Sequence, residues 1–146
     1  MSGGTVSARI LSIRNRAATT LYRSSRGRIG GRAVGHPVLL LTVRGRRSGV
    51  LRTTPLLYLT DLDSLIVVGS GFGASSDPEW CRNLAVSSTA TVQIGRYSRQ
   101  VRPEAVSGDD LDRIWRDVLD RELPELSIHQ ERSGRQFPVF RLIHPV

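Results

Sequence analysis

The feature that most constrains the fold is the almost continuously apolar segment at residues 37–44, PVLLLTVR. Such a run predicts a strand buried on both faces, and it is far too short to span a bilayer. Gly45 and Gly49 bracket a turn, and residues 51–60 have the composition of a second strand. The two strands therefore form a predicted antiparallel pair, with an arginine-rich turn between them.

Further segments have the composition of strands and are separated mostly by short turns: residues 65–69, 89–94, 97–106 and 138–143. One helix is predicted to begin with Asp77 as N-cap and Pro78 in the first helical position. Another follows Ser107 and ends at Pro124, after which comes a polar stretch without an assigned element. About six strands with helices at the edges indicate a mainly β protein with peripheral helices, an α+β antiparallel barrel. A doubly wound sheet is disfavoured because helices do not alternate with strands.

The N-terminal region has a helical pattern of its own. Its apolar residues recur at spacings of three and four: Val6, Ile10, Ile13, Ala17 and Leu21. With arginines on the remaining positions, residues 5–24 are predicted to form a basic amphipathic helix. The glycine-rich residues 24–35 form a flexible connector, so residues 1–35 precede a barrel domain at 36–146. The helix has two interpretations: it covers the barrel, or it lies on an anionic membrane surface.

Charge is distributed unevenly. All 21 basic residues are arginine, and residues 1–60 contain eleven of them and no acid, the first acid being Asp61. The N-terminal part of the chain, residues 1–60, should therefore attract anions, whether a nucleic acid, an anionic lipid or a phosphorylated cofactor. The lone cysteine, Cys81, excludes an intrachain disulfide and suits a reducing compartment. The N-terminus lacks the apolar run of a secretory signal, so we expect a cytoplasmic protein, at the inner face of the membrane if the helix binds there.

The residues best suited to binding an anion lie in the segment 44–55, RGRRSGVLRTTP. A turn bracketed by glycines can direct backbone N–H groups at an anion, because glycine tolerates positive φ. Arg46, Arg47 and Arg52 can supply charge and Ser48 a hydroxyl donor, and arginine matches phosphate oxygens well. The segment is not a P-loop. The alternative is a solvated hairpin turn in an arginine-rich protein.

Three blocks make the pattern more specific: VLLLTVRGRRSGVLRTTPLLYL, IVVGSGFG and DPEWCRNLAVSSTATVQI. In this order and spacing the chain resembles the deazaflavin-dependent nitroreductase family of actinobacterial proteins, over roughly residues 36–146. The resemblance implies a split β-barrel of the FMN-binding-like type that binds coenzyme F420. It also implies an oxidoreductase that passes hydride from the reduced deazaflavin to a quinone, a nitroaromatic compound or another activated acceptor.

The resemblance also implies where the cofactor would lie. The phosphate and tail site matches Arg46, Arg47, Ser48 and Arg52. The strand beside the ring matches Thr53, Thr54, Pro55, Leu56 and Leu57. The ring-edge loop matches Val68, Gly69, Ser70 and Gly71, with Ser70 as a candidate donor to the ring. The segment closing over the cofactor matches Glu79, Trp80, Cys81, Arg82 and Asn83.

Two departures from the family pattern concern the cofactor and the acceptor. Gly71 stands where family members often carry lysine, which removes one positive charge. The acceptor side, where nitro-reducing members present tyrosines, is matched by Leu123, Leu126 and His129, which implies a different and more apolar pocket. No side-chain nucleophile is required, and no catalytic residue is assigned with certainty.

Other interpretations stay open at this point. A related barrel could use FMN, and a basic nucleic-acid module would suit the high isoelectric point, although aromatic residues are few and are not interleaved with the arginines. Cys81 is expected to be an inert buried thiol, and Trp80 and Trp115 to be packing residues. Three scattered histidines without paired acids predict no metal site.

Overall fold

The computed structural model describes residues 15–33, 35–71 and 74–144. Residues 15–25 are helical (α1), and the other helices are α2 (Glu79–Ala85), α3 (Gly108–Ile114) and α4 (Glu125–Ser133). A π-helical turn, Trp115–Leu119, and a short α-helical turn, Asp120–Glu122, continue α3. The strands are β1 (Arg32–Ala33), β2 (His36–Arg44), β3 (Leu51–Leu57), β4 (Leu59–Asp61), β5 (Ser64–Val68), β6 (Ala90–Ile94), β7 (Tyr97–Ala105) and β8 (Val139–Ile143).

The strands form one curled antiparallel sheet, in the order β1-β2-β6-β7-β8-β5-β4, with β3 also paired to β2. The apolar strand β2 is central to this arrangement, since Leu41 lies opposite Thr54 of β3 and opposite Val92 of β6. The prediction of a mainly β fold with peripheral helices is confirmed. The curl turns one face of the sheet inward, where α2 covers it.

Both faces of β2 are buried, as its composition predicted. On the inner face, Leu39, Leu41 and Val43 pack in the main core with Trp80 and other residues of α2. On the outer face, Val38 and Leu40 pack against Tyr22 of α1. A second core lies between α3 and the strands β4, β5 and β8. Strand β2 is thus buried between the main core and the cluster around Tyr22.

Helix α1 covers the sheet, but not with the face that its sequence pattern predicted. Tyr22 is fully buried. Its hydroxyl accepts a hydrogen bond from the Gly95 N–H at 2.8 Å and donates one to the Val38 carbonyl oxygen at 3.0 Å. Ala17 and Leu21, the described members of the apolar stripe, are exposed instead. Buried Tyr22 contributes more contact area than those residues, so tertiary packing overrode the periodicity. Val6, Ile10 and Ile13 lie outside the described residues, as does the start of the predicted helix.

Three further predictions need correction. The expected strand at 51–60 is divided at Tyr58, whose N–H bonds the Pro37 carbonyl at 3.1 Å, because the chain there leaves β2 to pair with β5. Asp77 is not the N-cap of α2: Pro78 holds that position, and the Asp77 carboxylate binds Arg135. The polar stretch after Pro124 contains a whole helix, α4.

The predicted hairpin of β6 and β7 around Gly95 is confirmed, as are the turn at 45–49 and the last strand. Ser107 is the N-cap residue of α3, although its side chain makes no capping hydrogen bond. Within residues 15–33, 35–71 and 74–144, no helix has the length and apolar composition needed to cross a bilayer.

Candidate functional site

The β2–β3 turn, which we call the basic loop (residues 44–49), is closed by hydrogen bonds of its own backbone. The Gly45 N–H bonds the Val50 carbonyl at 2.8 Å, and the Gly49 N–H bonds the Gly45 carbonyl at 2.9 Å. Gly49 adopts φ = +73°, which explains the glycine at this position. Ser48 uses its hydroxyl to accept the Val50 N–H at 3.2 Å. The loop is therefore preformed rather than a loosely solvated turn.

Arg46 links the basic loop to α2 through hydrogen bonds and an ion pair. Its backbone N–H and its Nη1 donate to Asn83 Oδ1 at 3.1 and 2.8 Å, and Nη1 also lies 2.7 Å from Glu79 Oε2. The Arg46 guanidinium holds the pKa of Glu79 below its ordinary value, chiefly through this hydrogen bond. Asn83 is buried, so its carbonyl oxygen is a fixed acceptor. Of the predicted site residues, Arg46, Glu79 and Asn83 are thus brought into direct contact.

The other predicted phosphate ligands face solvent. Arg47, Ser48 and Arg52 are exposed, and among the described residues no acid pairs with Arg47 or Arg52. A cleft of about 480 Å³ lies beside Arg47 and Ser48, lined by the whole loop from Arg44 to Gly49 together with Val86 and Ser87, whereas Arg52 is not part of its lining. A second cleft, of about 430 Å³, shares part of that lining and extends along the ends of β2 and β6. The loop therefore presents unpaired cations at the edge of open space.

Strand β3 divides its predicted residues between two faces. Leu56, opposite Leu39, packs against the main core, and alternation places Thr54 and Arg52 on that same face. Thr53 lies on the other face, where its hydroxyl is 2.7 Å from that of Thr42 and accepts a hydrogen bond from Arg23 of α1 at 3.1 Å.

Pro55 shares the outer face with Thr53, and Leu57 reaches the second core. The five residues of this strand therefore cannot all line one surface.

The ring-edge loop contacts α2 closely. The Gly69 N–H bonds the Pro138 carbonyl at 2.7 Å, and a Cβ at Gly69 would overlap the Cys81 sulfur and crowd Pro138. Gly71 adopts φ = +55° beside Pro78. Glycine is therefore required at residue 69 by this approach and favoured at residue 71 by the backbone. The ring-edge loop and the segment at residues 79–83 are therefore in contact.

Trp80 and Cys81 belong to the main core. The Trp80 and Phe140 rings pack with centroids 6.1 Å apart, and burial raises the pKa of Cys81 to about 12. The thiol is therefore protonated at neutral pH, which agrees with the expectation that it is inert. Arg82 is exposed and lies 3.5 Å from Glu79.

The acceptor-side residues are only partly brought together. Leu123 and Leu126 pack against the second core, to which Leu57 and Val68 also belong. His129 is exposed on α4. In the described part of the chain no three potential metal-ligating side chains come together.

Sequence reasoning missed Arg135. Its guanidinium binds Gly69, Ser70, Ala74 and Asp77, and so reaches the ring-edge loop from the connector before β8. These partners lie 58 to 66 residues away in sequence, in a stretch whose composition is simply polar. No local signal in the sequence indicates such a contact.

The curled sheet with its covering helix has the split-barrel fold found in F420-H2 dependent reductases. A solved F420-H2 dependent reductase, FDR-A, superposes with a TM-score of 0.64 and 25% identity, over 73% of this chain and 93% of that one. HutZ, the heme storage protein of Vibrio cholerae, shares the fold alone, with a TM-score of 0.53 and 15% identity over 90% of this chain and 91% of its own.

The sequence family described as F420H(2)-dependent quinone reductase matches residues 14–144, and the chain belongs to that family. The F420H(2)-dependent quinone reductase Rv1261c of Mycobacterium tuberculosis is 32% identical over 122 residues, 82% of each chain. Another M. tuberculosis protein named after the same family is 42% identical over 84 residues, 58% of this chain and 71% of its own.

Proposed function

We propose that this protein binds coenzyme F420 and transfers hydride from its reduced form to a quinone-like acceptor. The observation that carries the proposal is the meeting of two separate segments on α2. The basic loop reaches α2 through Arg46 and Asn83, and the ring-edge loop reaches it through Gly69 and Cys81. Family membership supplies the cofactor and the acceptor class.

The chemical character of these residues fits a flat ring with an acidic arm. Arg47 and Ser48 are exposed donors that line the cleft at the basic loop, and Arg52 is an exposed donor on the strand that follows the loop; all three suit phosphate or carboxylate oxygens. Ser70 and its neighbours offer backbone donors at a close-packed turn, suited to the polar edge of a heterocycle. Arg46 acts differently, since Glu79 and Asn83 hold it, and it braces the loop.

The coenzyme, when bound, supplies a two-electron hydride donor, so the protein need only bind, orient and exclude water. This chemistry needs no side-chain nucleophile, in keeping with Cys81, which is buried and protonated. The apolar side chains of Leu57, Val68, Leu123 and Leu126 share one cluster and would form the water-excluding side on which an apolar acceptor binds. Reduction of nitro compounds is a narrower activity, to be tested with the quinones.

Titration of the purified protein with F420 tests the proposal through quenching of the deazaflavin fluorescence. We expect saturable binding at micromolar coenzyme, weakened about tenfold or more by Arg52→Ala through loss of a charge-assisted hydrogen bond. Arg99→Ala is the matched control, because Arg99 is also an exposed strand arginine but lies on β7. Turnover of F420H2 with a panel of quinones and nitro compounds then identifies the acceptor. Absence of binding, or retention of FMN instead, would refute the proposal.

We also propose that α1 brings the protein to an anionic membrane surface, where apolar quinones reside. The supporting observation is that Leu21 is 49% exposed and Ala17 is exposed, with the exposed Arg16 and Arg23 on the same helix. The opposite face of α1 remains packed through Tyr22, so covering the barrel and touching a membrane are compatible. Sedimentation with phosphatidylglycerol vesicles at low salt should capture the protein, and Leu21→Asp should reduce capture. Failure of the wild-type protein to sediment would exclude the membrane role.

A further inference from the structure

Arg135 connects the segment before β8 to the loop that follows β5. Its Nη1 and Nη2 donate to the carbonyl oxygens of Gly69 and Ser70 at 3.1 and 2.9 Å, and its Nε donates to that of Ala74 at 3.1 Å. Nη1 also lies 2.6 Å from the Asp77 carboxylate. The side chain is only 12% exposed. One guanidinium therefore binds three main-chain carbonyls and the carboxylate of Asp77, the residue before the N-cap of α2.

The guanidinium is itself fixed in place. It stacks on the ring of Phe137, with its central carbon 4.7 Å from the ring centroid, and Phe137 is fully buried. The Phe137 N–H donates to the Gln130 side chain of α4 at 2.8 Å. A planar cation on a buried ring, with forked donors, has little freedom to change direction. The positions of the Gly69 and Ser70 carbonyls that it binds are therefore fixed as well.

Fixing these carbonyls determines where two amide donors point. In a trans peptide the C=O and the following N–H are directed to opposite sides. The Gly69 carbonyl shares its peptide with the Ser70 N–H, and the Ser70 carbonyl shares its peptide with the Gly71 N–H. Arg135 therefore directs both N–H groups away from itself. Among the described residues, no backbone carbonyl accepts a hydrogen bond from either group.

Charge strengthens the same two donors. A hydrogen bond from a cation to a carbonyl polarises the peptide, and polarised peptides donate more strongly at the N–H. Two such donors on successive residues suit an electron-rich edge, such as the carbonyl oxygen and adjacent nitrogen of a flat heterocycle.

We propose that Arg135 is a positioning residue: it orients and polarises the Ser70 and Gly71 amides so that they bind the polar edge of the coenzyme ring. This inference rests on the proposed function, since it assigns the ring-binding donors of that same site. Arg135 acts through the peptides and does not itself touch the ring.

Arg135→Lys tests the inference while keeping the charge. A single ammonium cannot reproduce the planar fork that binds the carbonyls of residues 69, 70 and 74 together. Titrated with F420, the folded variant should bind about 10- to 100-fold more weakly, as expected for two impaired hydrogen bonds. Its KM for F420H2 should rise by the same factor, with kcat retained at saturation. Arg132→Lys is the matched control, on the exposed side of α4 in the same segment.

A merely structural role gives a different result. The variant would then lose thermal stability and active fraction, which lowers the apparent kcat, but its KM and the Kd of its folded fraction would stay at the wild-type values. That outcome overturns the inference while leaving the proposed function intact.

Arg135→Ala adds a second measurement, in which millimolar guanidinium, but not ammonium, should restore F420 affinity. Failure of both ions to restore it would count against the inference. Failure of the wild-type protein to bind F420 would instead refute the proposed function, and the role of Arg135 with it.

Discussion

Replacing Asn83 by alanine should release the basic loop from α2. Asn83 is 5% exposed, and its Oδ1 accepts the Arg46 backbone N–H at 3.1 Å and the Arg46 Nη1 at 2.8 Å. A neutral hydrogen bond contributes about 0.5–1.5 kcal/mol to stability, and one to a charged group about 1.5–3 kcal/mol. The sum is an upper limit because Arg46 keeps Glu79 and remains 19% exposed to water. We expect a loss of about 2 kcal/mol in the free energy of unfolding.

For a chain of 146 residues, that loss corresponds to a fall of about 6 °C in Tm. Thermal and urea unfolding followed by circular dichroism should give the same difference. The Kd for F420 should rise about tenfold, because the loop must then be ordered on binding.

Two controls separate this cause from general damage to the helix. Asn83→Asp keeps an acceptor for Arg46 and should retain most of the stability. Ser87→Ala removes only the 2.7 Å bond from Ser87 to the Asn83 carbonyl, so it should weaken the end of α2 without releasing the basic loop and should lower Tm by less than Asn83→Ala does. An Asn83→Ala protein that unfolds at the wild-type midpoint would show that the two bonds do not hold the loop.

The remaining predictions concern residues outside the basic loop. The hydrogen bond from Arg113 holds the pKa of Asp61 below its ordinary value, so the unfolded state binds protons first as the pH falls. Stability should therefore decline below about pH 4, and Asp61→Asn should flatten that decline in unfolding curves measured from pH 7 to 2. Cys81, with its pKa raised to about 12, should not react with a thiol reagent at pH 8 unless denaturant is added. Gly69→Ala should lower Tm because its methyl group would overlap the Cys81 sulfur, and Cys81→Ala in the same chain should restore part of the loss; equal Tm values for the single and double variants would contradict this.

The parts of the fold that the sequence predicted are those decided by neighbouring residues. The run at residues 37–44 is apolar at almost every position, and β2 is buried on both faces. Gly45 and Gly49 delimit a turn, and the turn is present. Gly95 likewise marks the tight β6–β7 connection. Such features depend on backbone conformation and burial pattern, which local sequence carries.

The predictions that were wrong concern features that depend on residues far away in the sequence. Asp77 has the side chain of an N-cap, but Arg135 is a charged partner 58 residues away and binds its carboxylate instead. Helix α4 has no buried residue and a weak apolar pattern, so its sequence gives little helical signal. Leu21 continues an apolar stripe, yet Tyr22 is the residue whose hydroxyl finds partners on the sheet. The periodicity of apolar residues therefore predicts a helical face but not which part of the protein that face contacts.

The uneven charge of the chain has a structural consequence at the site. In the second part of the chain several acids form internal ion pairs: Asp61 and Asp110 bind Arg113 and Arg141, and Asp77 binds Arg135. These pairs fasten helices and loops to the sheet and cancel one another's charge.

The N-terminal part of the chain has no acids of its own, and among its described arginines Arg46 alone forms an ion pair, with Glu79. Arg47 and Arg52 consequently have no acid partner within the residues that the structure describes. The positive charge of the chain is therefore concentrated in its first 60 residues, which include the basic loop, rather than spread evenly along the sequence. Arginines that hold the scaffold and arginines that attract the ligand are thus distinguished by whether an acid lies within reach, a property that only the folded chain defines.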